Sequence, residues 1–312
     1  MNKVLILMSV YNGEKYLVEQ IESLIHQERV DVSILVRDDG SSDGTIDILE
    51  NYKTKGILDF YTGENLRPAR SFMHLLFNAP DCDYYAFCDQ DDVWLPEKLL
   101  VATDALKDVN GPSMFYHAMD LVDEFLRKDG YYFRESEKAQ SLQYSCLFGD
   151  EIAGCTMVFN RKLADAVRLY EPRYITMHDG WVHRVCLSVG GTIISDKTPF
   201  INYRQHGGNT VGMKSRSLKS RLVKFAKKEK RFSKLANEML CGYKEFFDAE
   251  QKNFLTEISN YKHLSEKVKA LNDSQNFIRS KKDFFEVPFG PLFFLLESDG
   301  WILTKKPEPN RL

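Results

Sequence analysis

The sequence has little of what marks several large classes of protein. Its six cysteines (Cys82, Cys88, Cys146, Cys155, Cys186 and Cys241) are scattered, with no Cys-x-x-Cys pair. That argues against a zinc ribbon or a redox dithiol and fits small buried hydrophobes in a reducing compartment. No stretch of about 20 uninterrupted apolar residues occurs, so no simple helix is expected to span a bilayer. The apolar run Val4 to Met8 is too short for the core of a secretory signal, and a cytoplasmic protein is expected. An excess of one charge is missing too. The 42 Lys and Arg against 45 Asp and Glu leave −3, without the whole-molecule basic field of a nucleic-acid binder. No repeat of solenoid period is visible.

What is present is the composition of a folded body, with 43% hydrophobic and 28% charged residues over 312 positions. Those values exclude collagen-like, disordered and coiled-coil classes. Val4 to Val10 reads as a buried strand, and Asn12 is expected to cap a helix whose Leu17, Ile21, Leu24 and Ile25 recur at helical spacing. Val32 to Val36 is a second strand that runs into Arg37-Asp38-Asp39-Gly40-Ser41-Ser42-Asp43-Gly44, followed by a helix through Ile46, Leu49 and Tyr52. Ile57 to Tyr61 and Tyr84 to Cys88 are further strands, with a helix over Ser71 to Phe77 between them. Later strands are expected from Met114 to about Phe133, at Thr156 to Phe159 and at Thr192 to Ile194, with helices near Arg161 to Leu169 and Trp181 to Val189. This alternation predicts an α/β fold with a largely parallel sheet. Both acidic clusters, after Val36 and after Cys88, fall at carboxyl ends of strands, where open α/β sheets build ligand sites.

The character changes after His206. Lys214 to Lys234 holds ten basic residues and one acid, Glu229. Leu218, Leu222, Phe225 and Phe232 sit among them at helical spacing, so residues 214–234 read either as a surface for anionic membrane or as a solvated helix face. Nucleic acid is the poorer partner, for want of regularly interleaved aromatics. Leu235 to Leu271 reads as helix, and an aromatic tail runs from Phe284 to Leu296. A boundary near residue 212 divides a domain at 1–212 from a mostly helical basic and aromatic extension at 213–312.

Two carboxylates in Asp89-Gln90-Asp91 at a strand end suit a hard divalent cation, Mg2+ or Mn2+, although such pairs also occur as solvated turns. In Asp38-Asp39-Gly40-Ser41-Ser42-Asp43 the residues fit an Asx-rich turn, or a carboxylate that accepts a hydrogen bond from a pyrimidine N–H.

Taken in order, Ser9-Val10-Tyr11-Asn12, then Arg37 to Thr45, then Cys88-Asp89-Gln90-Asp91-Asp92-Val93-Trp94 resemble family-2 inverting glycosyltransferases of the A-type fold, over roughly the first 210 residues. With the later Tyr203-Arg204-Gln205-His206, the pattern is similar to bacterial rhamnosyltransferases that use a dTDP-sugar. The resemblance implies a Rossmann-like mixed sheet between helices, with a helical C-terminal extension. It implies a nucleotide site at Val10, Tyr11, Asn12, Asp38, Asp39, Asp89 and Gln90, with Arg70 or Arg67 reaching the base or diphosphate. The metal, Mg2+ or Mn2+, would be held by Asp91, with His206 joining it or contacting the diphosphate. Asp179 stands where the family carries its catalytic base, and Gly154, Cys155, Thr156, His178 and Trp181 fall on the acceptor side. Cys155 is read as a packed residue, because direct displacement needs no covalent intermediate. Gly180 departs from the pattern, which usually has an aromatic there.

The expected function is metal-dependent, inverting transfer of L-rhamnose from dTDP-L-rhamnose to a saccharide or lipid-linked saccharide of a bacterial wall, capsule or surface polymer. Three alternatives stay open: a UDP-sugar donor, a non-catalytic saccharide-binding scaffold subunit, and a nucleotidyltransferase. The last predicts a glycine- and lysine-rich phosphate loop, where this chain has only Asn12-Gly13-Glu14-Lys15.

Overall fold

Apolar residues without a polar face need cover on both sides, and the central strands here have it. The computed structural model describes residues 1–134, 140, 142, 145–146, 152–206 and 232–260. Strand β1 (Asn2–Val10) pairs in parallel with β2 (Val30–Asp38) and, on its other edge, with β4 (Tyr84–Cys88). Beyond β2 lies β3 (Asp59–Thr62). Beyond β4 the short β8 (Val158–Asn160) runs antiparallel to it and joins it to β6 (Ser113–Val122). The thirteen-residue β9 (Thr192–Arg204) pairs in parallel with β6 and, near its end, antiparallel with β5 (Val93–Trp94). Strand β7 (Lys128–Tyr132) folds back on β6 as a hairpin. The mixed nine-stranded sheet has the order β3-β2-β1-β4-β8-β6-β9-β5, with β7 off that path.

Alternation along the strands sends residues to two cores. Leu5 and Leu7 of β1, Tyr85 and Phe87 of β4 and Met114 of β6 enter one. Val4, Ile6, Met8 and Val10, then Ala86 and Cys88, then Phe115 enter the other. Helices α1 (Leu17–Ile25), α2 (Thr45–Thr54) and α4 (Lys98–Leu106) cover the second face. Helices α3 (Arg67–Asn78), α5 (Arg161–Arg168) and α6 (His178–Ser188) cover the first. Pro68 is accommodated in the first turn of α3, where no intrahelical donor is needed.

Several expectations need adjusting. Asn12 does not cap α1, which starts at Leu17 with no side-chain cap. Its backbone is left-handed at φ 50°, and its side chain accepts the Ser42 N–H at 2.9 Å instead. The helix expected over Leu235 to Leu271 is, as far as it is described, two helices, α7 (232–243) and α8 (Ala249–Asn260), separated by a single 3-10 turn at Lys244–Phe246. Both pack into the first core. Tyr243 donates to the Ala166 and Val167 carbonyls at the end of α5, and Glu238 accepts from the Tyr170 hydroxyl and the Arg173 N–H. Phe232, in a stretch read either as a membrane surface or as a solvated helix face packed on the domain, is buried there with Met239 and Tyr243. The rest of the basic stretch, 214–231, lies outside the described residues, as do the boundary near 212 and the tail from 284. Among the described residues no helix is long and apolar enough to cross a membrane.

Candidate functional site

The order β3-β2-β1-β4 puts a topological switch between β1 and β4, and a crevice opens there outside the carboxyl ends of the strands. Val10 ends β1 and is buried, and Tyr11 beyond it is half exposed. Across the switch the Gln90 side chain grips the Tyr11 backbone twice, accepting its N–H at 2.8 Å and donating to its carbonyl at 3.2 Å. Gly13 is required beneath this clamp, because a Cβ there would meet Gln90 Oε1 at 2.8 Å. The nucleotide-side residues expected from sequence are thus drawn together, and Gln90 acts through Tyr11.

The loop after β2 is braced from within. Asp38 accepts from the Gly40 N–H, the Ser41 N–H and the Ser41 hydroxyl. Ser41 in turn accepts the Asn12 N–H at 2.8 Å, and Thr45 accepts the Gly13 N–H at 2.8 Å. Asp39 is ion-paired with Arg37, both almost fully buried, and accepts the Leu66 N–H at 3.0 Å. Gly40 sits at φ 80°, the left-handed region where a side chain would be strained. Arg70 is engaged elsewhere. Its guanidinium donates to the Pro172 and Arg173 carbonyls at 2.7 and 2.6 Å, which ties α3 to the segment before α6. Arg67 is exposed.

The loop after β4 gathers its partners from far along the chain. Asp91 Oδ2 lies 2.7 Å from His206 Nε2, and both side chains keep some exposure. Arg204, buried at the end of β9, donates its backbone N–H to Asp92 Oδ1 at 3.0 Å and its Nε–H to the Asp91 carbonyl at 2.8 Å. The same guanidinium reaches Glu19 on α1 and the Glu124 carbonyl in the β6–β7 turn. From below comes Lys98, the first residue of α4 and fully buried. It donates to the Cys155 carbonyl and lies over the Trp94 ring, 3.2 Å from its centroid.

Burial sets the protonation of this cluster. Burial first, then the neighbouring Asp91, pushes the Asp89 carboxyl up to about 7, against the pull of Lys98. Asp92 is raised well above the usual carboxylate range by burial and by Asp91 and Asp89. Burial pushes Lys98 down to about 8, although Cys155, Cys88, Asp92 and Asp89 favour its charge.

Asp89, Asp92 and Cys155 bring their donor atoms within 4.8 Å of one another. The Cys155 thiol is raised well above its ordinary range by burial, which makes it a poor partner for a hard cation. Asp91 and His206, one oxygen and one nitrogen donor facing solvent, fit Mg2+ or Mn2+ better. Beside that pair, among the described residues, opens a cleft of about 420 Å³ between Lys15–Tyr16, the Asp123–Arg127 turn and Gln205–His206.

The acceptor-side residues converge on a 3-10 turn, Gly154–Thr156. Asp179, in the first turn of α6, accepts the Gly154 N–H on Oδ2 at 3.1 Å and its neighbour's N–H, from Gly180, on Oδ1 at 2.6 Å. His178 is stacked on Phe72 at 4.0 Å between centroids and fills the space that a side chain on Gly154 would need. Cys155 and Thr156 are buried and shape the turn. Trp181, expected at the acceptor, is instead fully buried, its ring 6.0 Å from that of Tyr243. Position 181 faces the core because it lies two residues past Asp179, about half a turn around the helix.

Sequence reasoning named no role for Lys98, Arg204 or Asp92. Arg204 and Asp92 lay inside quoted motifs. Lys98 had only one signal, its place in the apolar stripe with Ala102 and Leu106 at helical spacing.

Known proteins agree with this architecture. The chain is 28% identical to the dTDP-rhamnosyl transferase RfbG of Shigella flexneri over 253 residues, 74% of this chain and 84% of that protein. It is 26% identical over 216 residues to an uncharacterized glycosyltransferase of Rickettsia typhi, covering 67% of this chain and 65% of that one. Among solved structures, S. aureus TarS 1-349 in complex with UDP-GlcNAc superposes with a TM-score of 0.56 at 18% identity, covering 89% of this chain and 81% of that one. The A-type fold expected from the motifs is therefore borne out. With the model of the glycosyl transferase family 2 domain matching residues 5–167, just over half of the 312 residues, the chain belongs to that family.

Proposed function

We propose that this chain transfers a sugar, L-rhamnose from dTDP-L-rhamnose, to a saccharide or lipid-linked saccharide acceptor with inversion at the anomeric carbon. The observation that carries the reading is the placing of acidic residues from three stretches of chain. Asp38–Asp39 and Asp91 lie at the carboxyl ends of β2 and β4 on either side of β1, and Asp179 holds the Gly154–Thr156 turn whose Cys155 lies against the Asp89–Asp92 loop. The choice of rhamnose is supported by the similarity to the Shigella dTDP-rhamnosyl transferase along most of both chains. A nucleotide-sugar donor is further supported by the likeness to TarS, whose structure contains UDP-GlcNAc.

In this reading the base of the nucleotide rests beside Tyr11 and is read by Asp38 or Asp39. The Arg37 ion pair holds Asp39 in place. Asp91 and His206 hold a divalent cation, which when bound neutralises charge on the leaving diphosphate. Asp179 takes the proton from the acceptor hydroxyl. That oxygen then forms its bond to the anomeric carbon as the bond to the diphosphate oxygen breaks on the opposite face. The Gly154 and Gly180 N–H groups each bond one oxygen of Asp179 and fix its orientation. A role for residues 214–234 at an anionic membrane, where a lipid-linked acceptor would sit, belongs to the same reading.

Calorimetric titration of dTDP-rhamnose, UDP-sugars and GDP-sugars, with and without Mn2+, tests the donor. Selection of dTDP-rhamnose, weakened in Asp91→Ala, is expected. Binding of UDP-sugars in its place reassigns the donor. Asp179→Asn is expected to abolish transfer while donor affinity stays close to wild type, and retained turnover removes Asp179 from the role of base.

A further inference from the structure

Lys98 is a buried charge that the mechanism above does not use. It starts α4 on the core side, in line with Ala102 and Leu106, and it has no exposure to solvent. An ammonium in that place is costly unless something requires it. Among the described residues its hydrogen-bond partner is the Cys155 carbonyl, and its other face rests on the Trp94 ring. Cys155 belongs to the turn whose Gly154 N–H is bound to Asp179. Its Sγ lies within 4.8 Å of carboxylate oxygens of both Asp89 and Asp92. Asp92 Oδ2 is itself buried with no hydrogen-bond partner among the described residues. The cation therefore sits against the turn that orients the base and reaches the acidic loop after β4 through Cys155.

We propose that Lys98 is a positioning residue that couples the two halves of the site, its buried ammonium fixing the Asp89–Asp92 loop for the divalent cation and tethering the Gly154–Thr156 turn that holds Asp179. The inference rests on the reading of Asp91 as a cation ligand and Asp179 as the base. Its charge lies close to a concentration of carboxyl groups, and its hydrogen bond to Cys155 sets the height of the turn relative to that loop. Arg204 braces the same loop through Asp91 and Asp92 but touches neither Cys155 nor Gly154 in any hydrogen bond seen among the described residues. Lys98 thus holds the turn directly, and the Cys155 it holds lies against the loop.

The test compares full-length wild type, Lys98→Met, Lys98→Gln and Asp91→Ala, with Mn2+ as the probe. Methionine keeps the apolar stem and removes both charge and donor, whereas glutamine removes the charge and keeps an N–H for Cys155. Mn2+ affinity measured with a nucleoside diphosphate present is expected to fall about tenfold or more in both Lys98 variants, as for other residues that support metal ligands. At saturating Mn2+, kcat is expected to fall about 10- to 100-fold while donor KM moves less than about threefold. Amide hydrogen exchange over 153–157, in protein without ligand, is expected to quicken about tenfold in Lys98→Met and less in Lys98→Gln. Wild-type Mn2+ affinity and kcat in Lys98→Gln, or wild-type exchange in a folded Lys98→Met, overturns the proposal. Should Lys98→Met not fold, Lys98→Gln decides by the same Mn2+ and kcat criteria. If Asp91→Ala binds Mn2+ as tightly as wild type, the metal reading fails by itself, and Lys98 is then judged on the exchange result, which needs no ligand.

Discussion

Two acidic loops flank β1, one after β2 and one after β4, and they are built in opposite ways. The carboxylates of the Asp38–Asp43 loop are held largely by nearby chain: Asp38 binds Gly40 and Ser41, Asp43 binds Thr45, and Asp39 pairs with Arg37 two residues back. Asn12, Glu14 and Leu66 add bonds from farther off. The Asp89–Asp92 loop has almost no local support. Its partners are Tyr11, Arg204 and His206, with the 154–156 turn beside it. A loop that closes on itself is a fixed receptor, suited to reading a flat base. One held by residues from distant elements ties the chemistry of its carboxylates to the packing of the whole sheet, where small displacements are felt.

That contrast can be broken by mutation. Asp91→Ala is expected to lower metal-dependent turnover by about 10³-fold, as loss of several kcal/mol of charge stabilisation implies, with little change in melting temperature. A comparable loss from Asp38→Ala would mean that the two loops share the chemistry. Next comes Arg37→Met, which leaves Asp39 buried without its cation and is expected to cost about 3–4 kcal/mol in urea unfolding. If the cost is small, the first loop owes its shape to its turns alone. Ser41→Ala removes hydrogen bonds in a partly buried place and is expected to cost about 1 kcal/mol, with a rise of a few-fold in donor KM.

The smallest effect expected is a slope. Burial lowers Lys98 from its ordinary 10.5 to about 8. Between those values the unfolded chain holds a proton that the folded chain has shed, so stability from this group rises with pH across the window and is flat below it. The groups facing it are Cys88, Cys155, Asp89, Asp92 and His117. Lys98→Met flattens the rise, so any advantage of the variant in urea midpoint at pH 7 is expected to shrink by pH 10. A constant difference would show that Lys98 keeps an ordinary affinity for its proton.

Legibility followed the same division. The strands and helices up to Cys88 were readable because each is a local period of apolar residues closed by turn residues. The Asp38–Asp43 turn was readable because the bonds that Asp38 makes within it, to Gly40 and Ser41, span only a few positions. Asn12 was misplaced as a helix cap because its true partner, Ser42, is 30 residues away. Trp181 was misread for the same reason: an aromatic near a motif looks available until the elements that cover it are in place.

By itself the sequence determined the α/β alternation, the placing of both acidic clusters at strand ends and the membership of family 2, since each rests on periodicity or on ordered motifs along the chain. Tertiary structure alone decided that His206 meets Asp91, that Gly154 meets Asp179, that Arg70 is engaged with backbone carbonyls and that Lys98 lies under the acids. Those contacts join elements separated by 25 to 115 residues, apart from the Lys98 stack on Trp94. A buried cation and a solvated one are the same letter until the sheet closes over one of them.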